Sequence, residues 1–135
     1  DALPIYHQLN MRHLRTQPVR LRQIMENLIA NAIRYQAPQR KEHFIKIRSC
    51  QTDTSVTIEV EDNGVGIPEY AGDRIFEKFT RFHQDSKGSG LGLAIVKRNI
   101  DSLDGTIDLH SEASGKFFII TIQNTLSPLQ SEATL

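Results

Sequence analysis

The order of helix and strand patterns constrains the fold of this chain most. A helix pattern from Pro18 to Gln36 is followed by a predicted hairpin, and a second helix pattern from Leu91 to Leu103 is followed by another. Apolar residues recur at helical spacing in the first pattern, whereas the hairpin segments alternate between apolar and polar residues. A weak extended pattern around residues 3–7 precedes the first helix. This order predicts a two-layer α/β sandwich, in which a mainly antiparallel mixed sheet packs against helices on one face.

Local signals set the expected ends of these elements. Thr16 is predicted to cap the first helix, Pro18 suits its first turn, and Pro38 follows its end. Asp104-Gly105 is predicted to end the second helix. Further elements are expected at residues 44–48, 56–60, 69–76, 106–111 and 116–123. Residues 127–135 are polar and are expected to form a disordered tail, so the predicted domain spans residues 1–126.

Composition excludes several classes of function. The 135 residues suffice for one domain with a single core. A formal net charge of zero argues against a nucleic-acid or anionic-membrane partner. The single cysteine, Cys50, excludes an internal disulfide and is typical of a reducing compartment. No apolar stretch approaches the roughly 20 residues that a membrane span needs, and we expect the chain to be a fragment of a longer protein.

The first helix carries a polar face. Asn27, Asn31 and Arg34 lie at i, i+4 and i+7, a spacing that aligns them on one side. An asparagine oxygen suits Mg²⁺, which shares its ligands with phosphates and water, and Arg34 could pair with a phosphate. The alternative is a polar stripe that faces solvent.

Asp62 ends a predicted strand and precedes a glycine-rich segment. Its carboxylate could accept a hydrogen bond from an exocyclic amine such as that of adenine, and Gly64 and Gly66 would let the backbone approach a flat ring. The alternative is a hairpin turn, because Asn-Gly is a strong turn signal. No alternating strand follows Gly66, however, which favours a ligand site.

A second glycine cluster, residues 88–92, precedes the second helix. Free N–H groups at a helix start favour anions, so this cluster is a candidate phosphate site; the alternative is a flexible linker. It lacks the Gly-Lys-Ser/Thr of a Walker A motif. The polar segment 81–89 before the helix is expected to be mobile, and its Arg81 and Lys87 could reach a polyphosphate.

Together these motifs resemble the ATP-binding catalytic domain of sensor histidine kinases. That family belongs to the Bergerat-fold superfamily with gyrase B, the ninety-kilodalton heat-shock chaperone and MutL. The resemblance rests on four boxes in order: an asparagine box at residues 27–35, a first glycine box at 62–67, a phenylalanine box at 75–79 and a second glycine box at 88–93. It covers roughly residues 3–123.

The resemblance implies a role for each box. The catalytic residues would be Asn27, Asn31, Arg34 and Arg81, with Asn31 as the Mg²⁺ ligand. Asp62 would hold the adenine amine. The implied ATP-binding residues are Asn27, Asn31, Arg34, Tyr35, Asp62, Gly64, Gly66, Ile67, Phe79, Arg81, Gly88, Ser89, Gly90, Leu91 and Gly92, and we add Lys87 from its place in the segment. A mobile ATP lid is expected between about Tyr70 and Ser89.

Asn27 separates a kinase from a hydrolase. Hydrolysing relatives carry a glutamate at this place, whereas asparagine cannot act as a general base. Glu26 lies about 100° round the helix and should not substitute. The resemblance therefore implies an ATP-dependent protein histidine kinase that uses ATP and Mg²⁺. A hydrolysing ATPase and a partner-binding module without nucleotide are the alternatives.

The phosphoacceptor is expected to lie elsewhere. Residues 12–18, RHLRTQP, mimic the acceptor motif, but Gln17 is inserted and the acidic neighbour is absent, so His13 is not the expected acceptor. The resemblance implies a dimerisation hairpin outside this chain, a response regulator partner, a monomeric fragment, and a cytoplasmic position in an inner-membrane sensor kinase. Residues 112–118 depart from the family's threonine-containing pattern, and we expect this loop to be remote from the pocket.

Overall fold

The computed structural model describes residues 5–9, 13–52, 54–67, 74–77, 91–112, 115–123 and 132–134. The helices are α1 (Pro18–Arg34) and α2 (Gly92–Ser102). The strands are β1 (Ile5–Leu9), β2 (His13–Arg15), β3 (Ile45–Gln51), β4 (Ser55–Asp62), β5 (Thr106–Glu112), β6 (Gly115–Gln123) and β7 (Glu132–Thr134). Neither described helix is long and apolar enough to cross a membrane.

Five strands form one mixed sheet in the order β1-β3-β4-β6-β5. β1 pairs with β3 in parallel, and the other pairs are antiparallel. In β4 every second residue is buried, as expected for a strand with one face against a core. The buried strand residues and the apolar faces of α1 and α2 form one hydrophobic core. The predicted two-layer α/β sandwich with a mainly antiparallel mixed sheet is confirmed.

The start of α1 differs from the prediction. Gln17 is the N-cap and makes no side-chain capping bond, whereas Thr16 is buried one residue earlier. The residue before a proline is driven to extended backbone, and here that residue is Gln17, with φ −89° and ψ 109°. The predicted cap at Thr16 is therefore wrong. The helix ends at Arg34, two residues before the predicted end, because Tyr35 leaves the helical conformation.

The end of α2 agrees with the prediction that Asp104-Gly105 ends the helix. Asp104 takes the left-handed conformation with φ 54°, and the N–H of Gly105 donates to the carbonyl of Ile100. A side chain at Gly105 would place its Cβ 2.5 Å from the carbonyl oxygen of Thr121, so glycine is required by the close approach of β6.

Two further predictions meet the structure only in part. Residues 74–76 form a short 3₁₀ turn, whereas the rest of the helix predicted at 69–76 lies outside the described residues. The tail was expected to be disordered, but Glu132–Thr134 forms β7 and pairs antiparallel with β2. β7 is only three residues long, which is too short to show the alternating pattern that predicts a strand. Its pairing is made by backbone groups, which the side-chain pattern does not report.

An ion pair is buried between β4 and β6. The strand register places Asp62 directly opposite Lys116. The Lys116 Nζ lies 2.9 Å from Asp62 Oδ2, and the side chains are 0% and 5% exposed respectively. Burial lowers the pKa of Lys116 below 10.5, and the Asp62 carboxylate raises it again only in part. The pair therefore carries a desolvation cost that one contact does not fully offset.

The core face of α1 can be tested against its exposed face. Ile24→Ala should lower the free energy of unfolding by about 2–5 kcal/mol, because Ile24 is fully buried in the core. Ile33→Ala is the matched control on the same helix; Ile33 is 48% exposed, so the change should stay within about 0.5 kcal/mol. Urea denaturation measures both, and equal losses would contradict the assigned helix face.

The buried lysine predicts a dependence of stability on pH. Because the pKa of Lys116 is lower in the folded chain, the unfolded chain retains this proton at alkaline pH where the folded chain has lost it. The free energy of unfolding should therefore contain a component that rises with pH as Lys116 titrates, up to about 10.5.

Urea denaturation across the alkaline range measures this component. Lys116→Met should remove it, whereas the matched control Lys97→Met should keep it, because Lys97 pairs with Asp101 on the surface. A rise of the same size in both variants would show that Lys116 is not its source.

Candidate functional site

A cavity of about 200 Å³ lies between α1 and the start of α2. Its lining residues are Asn27, Ala30, Asn31, Arg34, Tyr35, Ile75, Leu91, Gly92, Leu93 and Ile95. The polar face of the first helix and the start of the second helix, which are far apart in sequence, therefore meet at one place. Of the predicted ATP-binding residues, the cavity brings together Asn27, Asn31, Arg34, Tyr35, Leu91 and Gly92.

The helical spacing of the asparagines explains their common direction. Residues four apart on a helix lie on one side, so Asn27 and Asn31 face the cavity while Ile24 and Leu28 face the core. Asn31 is only 6% exposed. The alternative of a polar stripe that faces solvent therefore does not fit Asn31, although it would fit the exposed Arg34.

Asn31 presents an oxygen without a partner. Its Oδ1 is buried and makes no hydrogen bond within the part of the chain that the structure describes. A buried polar atom left without a partner costs about 1–3 kcal/mol, so a ligand or water at this oxygen would be stabilising. Amide oxygen is one of the hard ligands that Mg²⁺ accepts.

The donor set around Asn31 limits the kind of metal site. Among the described residues, no group of three histidine, cysteine, aspartate or glutamate side chains could hold a metal. A cation at this cavity would rely on amide oxygens, water and a ligand's own oxygens. That set fits Mg²⁺ bound together with phosphates.

Asn27 of α1 lies close to Gly92 at the start of α2. The Nδ2 of Asn27 donates to the carbonyl of Gln23 over 2.7 Å. A Cβ at Gly92 would lie 3.1 Å from Asn27 Oδ1, so a larger residue here would press on that oxygen. The N-cap of α2, Leu91, makes no side-chain capping bond. Within the described part of the chain, no side-chain cap is seen for the first N–H groups of α2, which lie beside the cavity, and the helix dipole favours an anion there.

The segment after β4 is not a hairpin turn. Asp62 Oδ1 accepts a hydrogen bond from the N–H of Gly64 over 2.8 Å. The N–H of Val65 donates to the carbonyl of Tyr35, which ties this segment to the end of α1. Ile67 then exchanges hydrogen bonds with the hydroxyl of Ser111, on β5.

Close packing explains the two glycines of this segment. A Cβ at Gly64 would lie 2.3 Å from the carbonyl oxygen of Tyr35. Gly66 has φ 73°, and its Cβ would lie 2.6 Å from the carbonyl oxygen of Glu112. Both positions need glycine for the fold itself, whether or not a ligand binds nearby.

Lys116 is the residue that the sequence analysis missed. Residues 112–118 were expected to be remote from the pocket, and this is wrong because β6 is the direct neighbour of β4. The Lys116 Nζ lies 2.9 Å from Asp62 Oδ2 and 5.6 Å from the centre of the Tyr35 ring. One signal was present: Lys116 is in phase with Phe118 and Ile120, which are buried. An inward-pointing lysine requires a partner.

The other predicted residues divide into two groups. Asp62, Gly64, Gly66 and Ile67 lie together at the end of β4, outside the described lining of the cavity but joined to it through Tyr35. The remainder lie outside the described residues: Phe79, Arg81, Lys87, Gly88, Ser89 and Gly90, with most of the expected lid.

Sequence comparison relates most of the chain to one family. Residues 16–126 match the family described as histidine kinase-, DNA gyrase B-, and HSP90-like ATPase. The autoinducer 2 sensor kinase/phosphatase LuxQ of Vibrio vulnificus is 40% identical over 129 residues, covering 90% of this chain and 15% of LuxQ. Sensor protein RprX of Bacteroides fragilis is 36% identical over 104 residues, covering 73% of this chain and 20% of RprX. The chain thus spans a small part of these curated relatives.

Solved structures agree with this relation. The nucleotide-free catalytic domain of histidine kinase ThkA is similar with a TM-score of 0.76 and 29% identity, covering 91% of this chain and 80% of that domain. Full-length ShkA in complex with AMPPNP has a TM-score of 0.71 and 28% identity, covering 95% of this chain and 27% of ShkA. The sheet order and the two helices are thus those of a histidine kinase catalytic domain, and the chain belongs to the histidine kinase-, DNA gyrase B-, and HSP90-like ATPase family.

Proposed function

We propose that this chain is the ATP-binding catalytic domain of a sensor histidine kinase in two-component signal transduction. It binds Mg-ATP and transfers the γ-phosphate to a histidine on a dimerisation hairpin outside this chain. The observation that carries this proposal is the cavity in which Asn27 and Asn31 face the start of α2. The sensor kinases among its relatives, and the AMPPNP bound to ShkA, support it.

Asn31 is the proposed Mg²⁺ ligand. Its buried Oδ1 has no partner in the described fold, and a bound cation would supply one. Asn27 lies one helical turn away on the same cavity and would contact the metal's water or the phosphates. When bound, Mg²⁺ neutralises charge on the phosphates. The two asparagines act by position, since amide oxygens bring no charge of their own.

The phosphates would lie between Arg34 and the start of α2. Arg34 is exposed on the cavity wall and could reach a phosphate with its planar guanidinium. The N–H groups near Leu91 and Gly92 add the positive end of a helix dipole. The lid would complete the binding site, with Phe79, Arg81, Lys87, Gly88 and Ser89 as its predicted contributors, and the backbone of Gly90, just after the lid, would also contact the phosphates.

The adenine would lie against the end of β4. Asp62 would accept a hydrogen bond from its exocyclic amine, because each carboxylate oxygen has two lone pairs and the contacts to Gly64 and Lys116 occupy one on each. Gly64 and Gly66 leave this backbone free of side chains, and Ile67 and Tyr35 would border the base.

Asn27 favours phosphoryl transfer over hydrolysis. An amide cannot remove a proton from water, and the neighbouring Glu26 is exposed and lies outside the cavity lining. Catalysis would then rest on positioning ATP and the acceptor and on neutralising charge.

The phosphoacceptor is proposed to lie outside this chain. His13 lies in β2, which pairs with β7, and is not on a helical hairpin. The proposed partners are therefore the acceptor hairpin and a response regulator. We propose that the domain lies on the cytoplasmic side of the parent protein, and we expect this fragment to be monomeric.

Calorimetric titration with ATP, with and without Mg²⁺, tests this proposal. We expect a dissociation constant in the micromolar to millimolar range, about −8 to −4 kcal/mol, and tighter binding with Mg²⁺. In the Asn31→Ala variant, the gain in ATP affinity that Mg²⁺ produces should be smaller by about tenfold or more, because the variant lacks the proposed ligand oxygen.

Glu26→Ala is the control, because Glu26 is exposed on the same helix but does not line the cavity. It should bind Mg-ATP as the unchanged chain does, and neither protein should release phosphate steadily. If Mg²⁺ tightened ATP binding in a folded Asn31→Ala variant as much as in the unchanged chain, Asn31 would not be the Mg²⁺ ligand. Steady phosphate release would favour a hydrolysing ATPase.

A further inference from the structure

Three polar side chains join α1 to α2 at a place outside the described lining of the cavity. The Oδ1 of Asn99, on α2, accepts a hydrogen bond from Arg20 Nη1 over 3.0 Å. The Nδ2 of the same amide donates to Gln23 Oε1 over 2.9 Å. Arg20 and Gln23 both belong to α1. One amide of the second helix therefore holds the first helix through its oxygen and its nitrogen together.

Asn99 is buried on the core side of α2. It is 4% exposed, and its neighbours on this side, Val96 and Ile100, are fully buried. A buried amide adds little stability over an apolar side chain, because its hydrogen bonds replace bonds to water. Hydrogen bonds depend on distance and angle, however, whereas apolar contacts have no direction. A buried asparagine is therefore suited to fixing the register of two packed helices.

A second close contact between the helices lies at the cavity. There a Cβ at Gly92 would lie 3.1 Å from Asn27 Oδ1. Asn99 follows Gly92 by seven residues, which is two helical turns or about 10.5 Å. Arg20 precedes Asn27 by the same seven residues. The helices thus run antiparallel with two contacts of equal spacing, and a slide of α2 along α1 would disturb both contacts together.

Gln23 links the two contacts. Its side chain accepts from Asn99, and its backbone carbonyl accepts from the Nδ2 of Asn27 over 2.7 Å. With its nitrogen held in this way, Asn27 presents its Oδ1 toward Gly92. One residue of α1 therefore contacts both the amide beside the cavity and the buried amide of α2.

We infer that Asn99 is a positioning residue for the proposed phosphate site; this rests on the proposed function. Its amide fixes α2 along α1, and this sets how closely the first N–H groups of α2 approach Asn27. Asn99 acts without touching the nucleotide, since it lies outside the described lining of the cavity. Binding groups must be held within about 0.5 Å of their productive places, so the register of the helices affects affinity.

Asn99→Leu tests the inference, because leucine has a similar size but neither donates nor accepts hydrogen bonds. Arg20 keeps its bond to Gln17, and Gln23 is exposed, so water can replace the lost partner. The urea concentration at the unfolding midpoint should stay the same or rise, as for other buried polar groups replaced by apolar ones. Calorimetry should nevertheless show Mg-ATP binding about tenfold weaker. A residue with a structural role alone would not lower affinity in a folded chain of unchanged stability.

Asn99→Asp and Ser102→Leu are the matched comparisons. The aspartate can accept from Arg20 and, once the Gln23 amide turns over, from its NH₂ group. Mg-ATP affinity should therefore return to within about threefold of that of the unchanged chain. Ser102 is exposed on the same helix, so Ser102→Leu should leave the affinity unchanged.

Gln23→Ala serves as a second disruptive variant if Asn99→Leu does not fold. It removes an exposed side chain that accepts from Asn99 and keeps the carbonyl that holds Asn27. Because Arg20 still holds Asn99, Mg-ATP binding should weaken by only about threefold. Unchanged affinity in this variant would then count against the inference.

The position of α2 can also be measured without nucleotide. Nuclear Overhauser contacts between the Asn27 side chain and the Gly92 Hα report the spacing of the helices at the cavity. They should weaken in Asn99→Leu and persist in Asn99→Asp and Ser102→Leu.

Three results would overturn the inference. They are Mg-ATP binding by folded Asn99→Leu that equals binding by the unchanged chain, an equal loss in Asn99→Asp, and nuclear Overhauser contacts that persist in Asn99→Leu. Failure of the folded, unchanged chain to bind Mg-ATP at millimolar concentration would instead reject the proposed function. The nuclear Overhauser contacts would then still decide whether Asn99 sets the position of α2.

Discussion

The pairing of β4 with β6 is the constraint on which the site depends. It holds Asp62 opposite Lys116 in a buried position, where neither charge would be tolerated alone. The same register brings Gly115 to the backbone of Asp62, at a distance that admits no side chain. The end of β4 is thereby fixed from the β6 side, by charge and by close packing together.

The end of α1 holds this strand end from the other side. Tyr35 leaves the helix, and its carbonyl accepts the N–H of Val65 while its ring lines the cavity. The asparagine face of α1 and the carboxylate of Asp62 are therefore parts of one connected arrangement. The hydrophobic core beneath it sets the helix rotation, because the core residues of α1 occupy the remaining helix face.

Sequence reasoning succeeded where the pattern was local. The helical spacing of Asn27 and Asn31 predicts one face, and the structure confirms that both line one cavity. The start of α2 was predicted from its glycines and joins the same cavity. Reasoning failed where contacts depend on distant strands. The sequence predicts a loop remote from the pocket at residues 112–118, although the phase of Lys116 with buried residues indicates an inward-pointing side chain.

The sequence by itself determined the order of the two helices and of β3 to β6, together with the hydrophobic core faces, because these follow from apolar spacing over a few residues. The family followed from the resemblance of four motif boxes in order. Only the tertiary structure decided that Asp62 is paired with a buried lysine, that Asn31 has an oxygen without a partner, and that Tyr35 links the two. The physical reason is that burial and charge pairing arise between residues far apart in the chain, and no local pattern specifies which of them will meet.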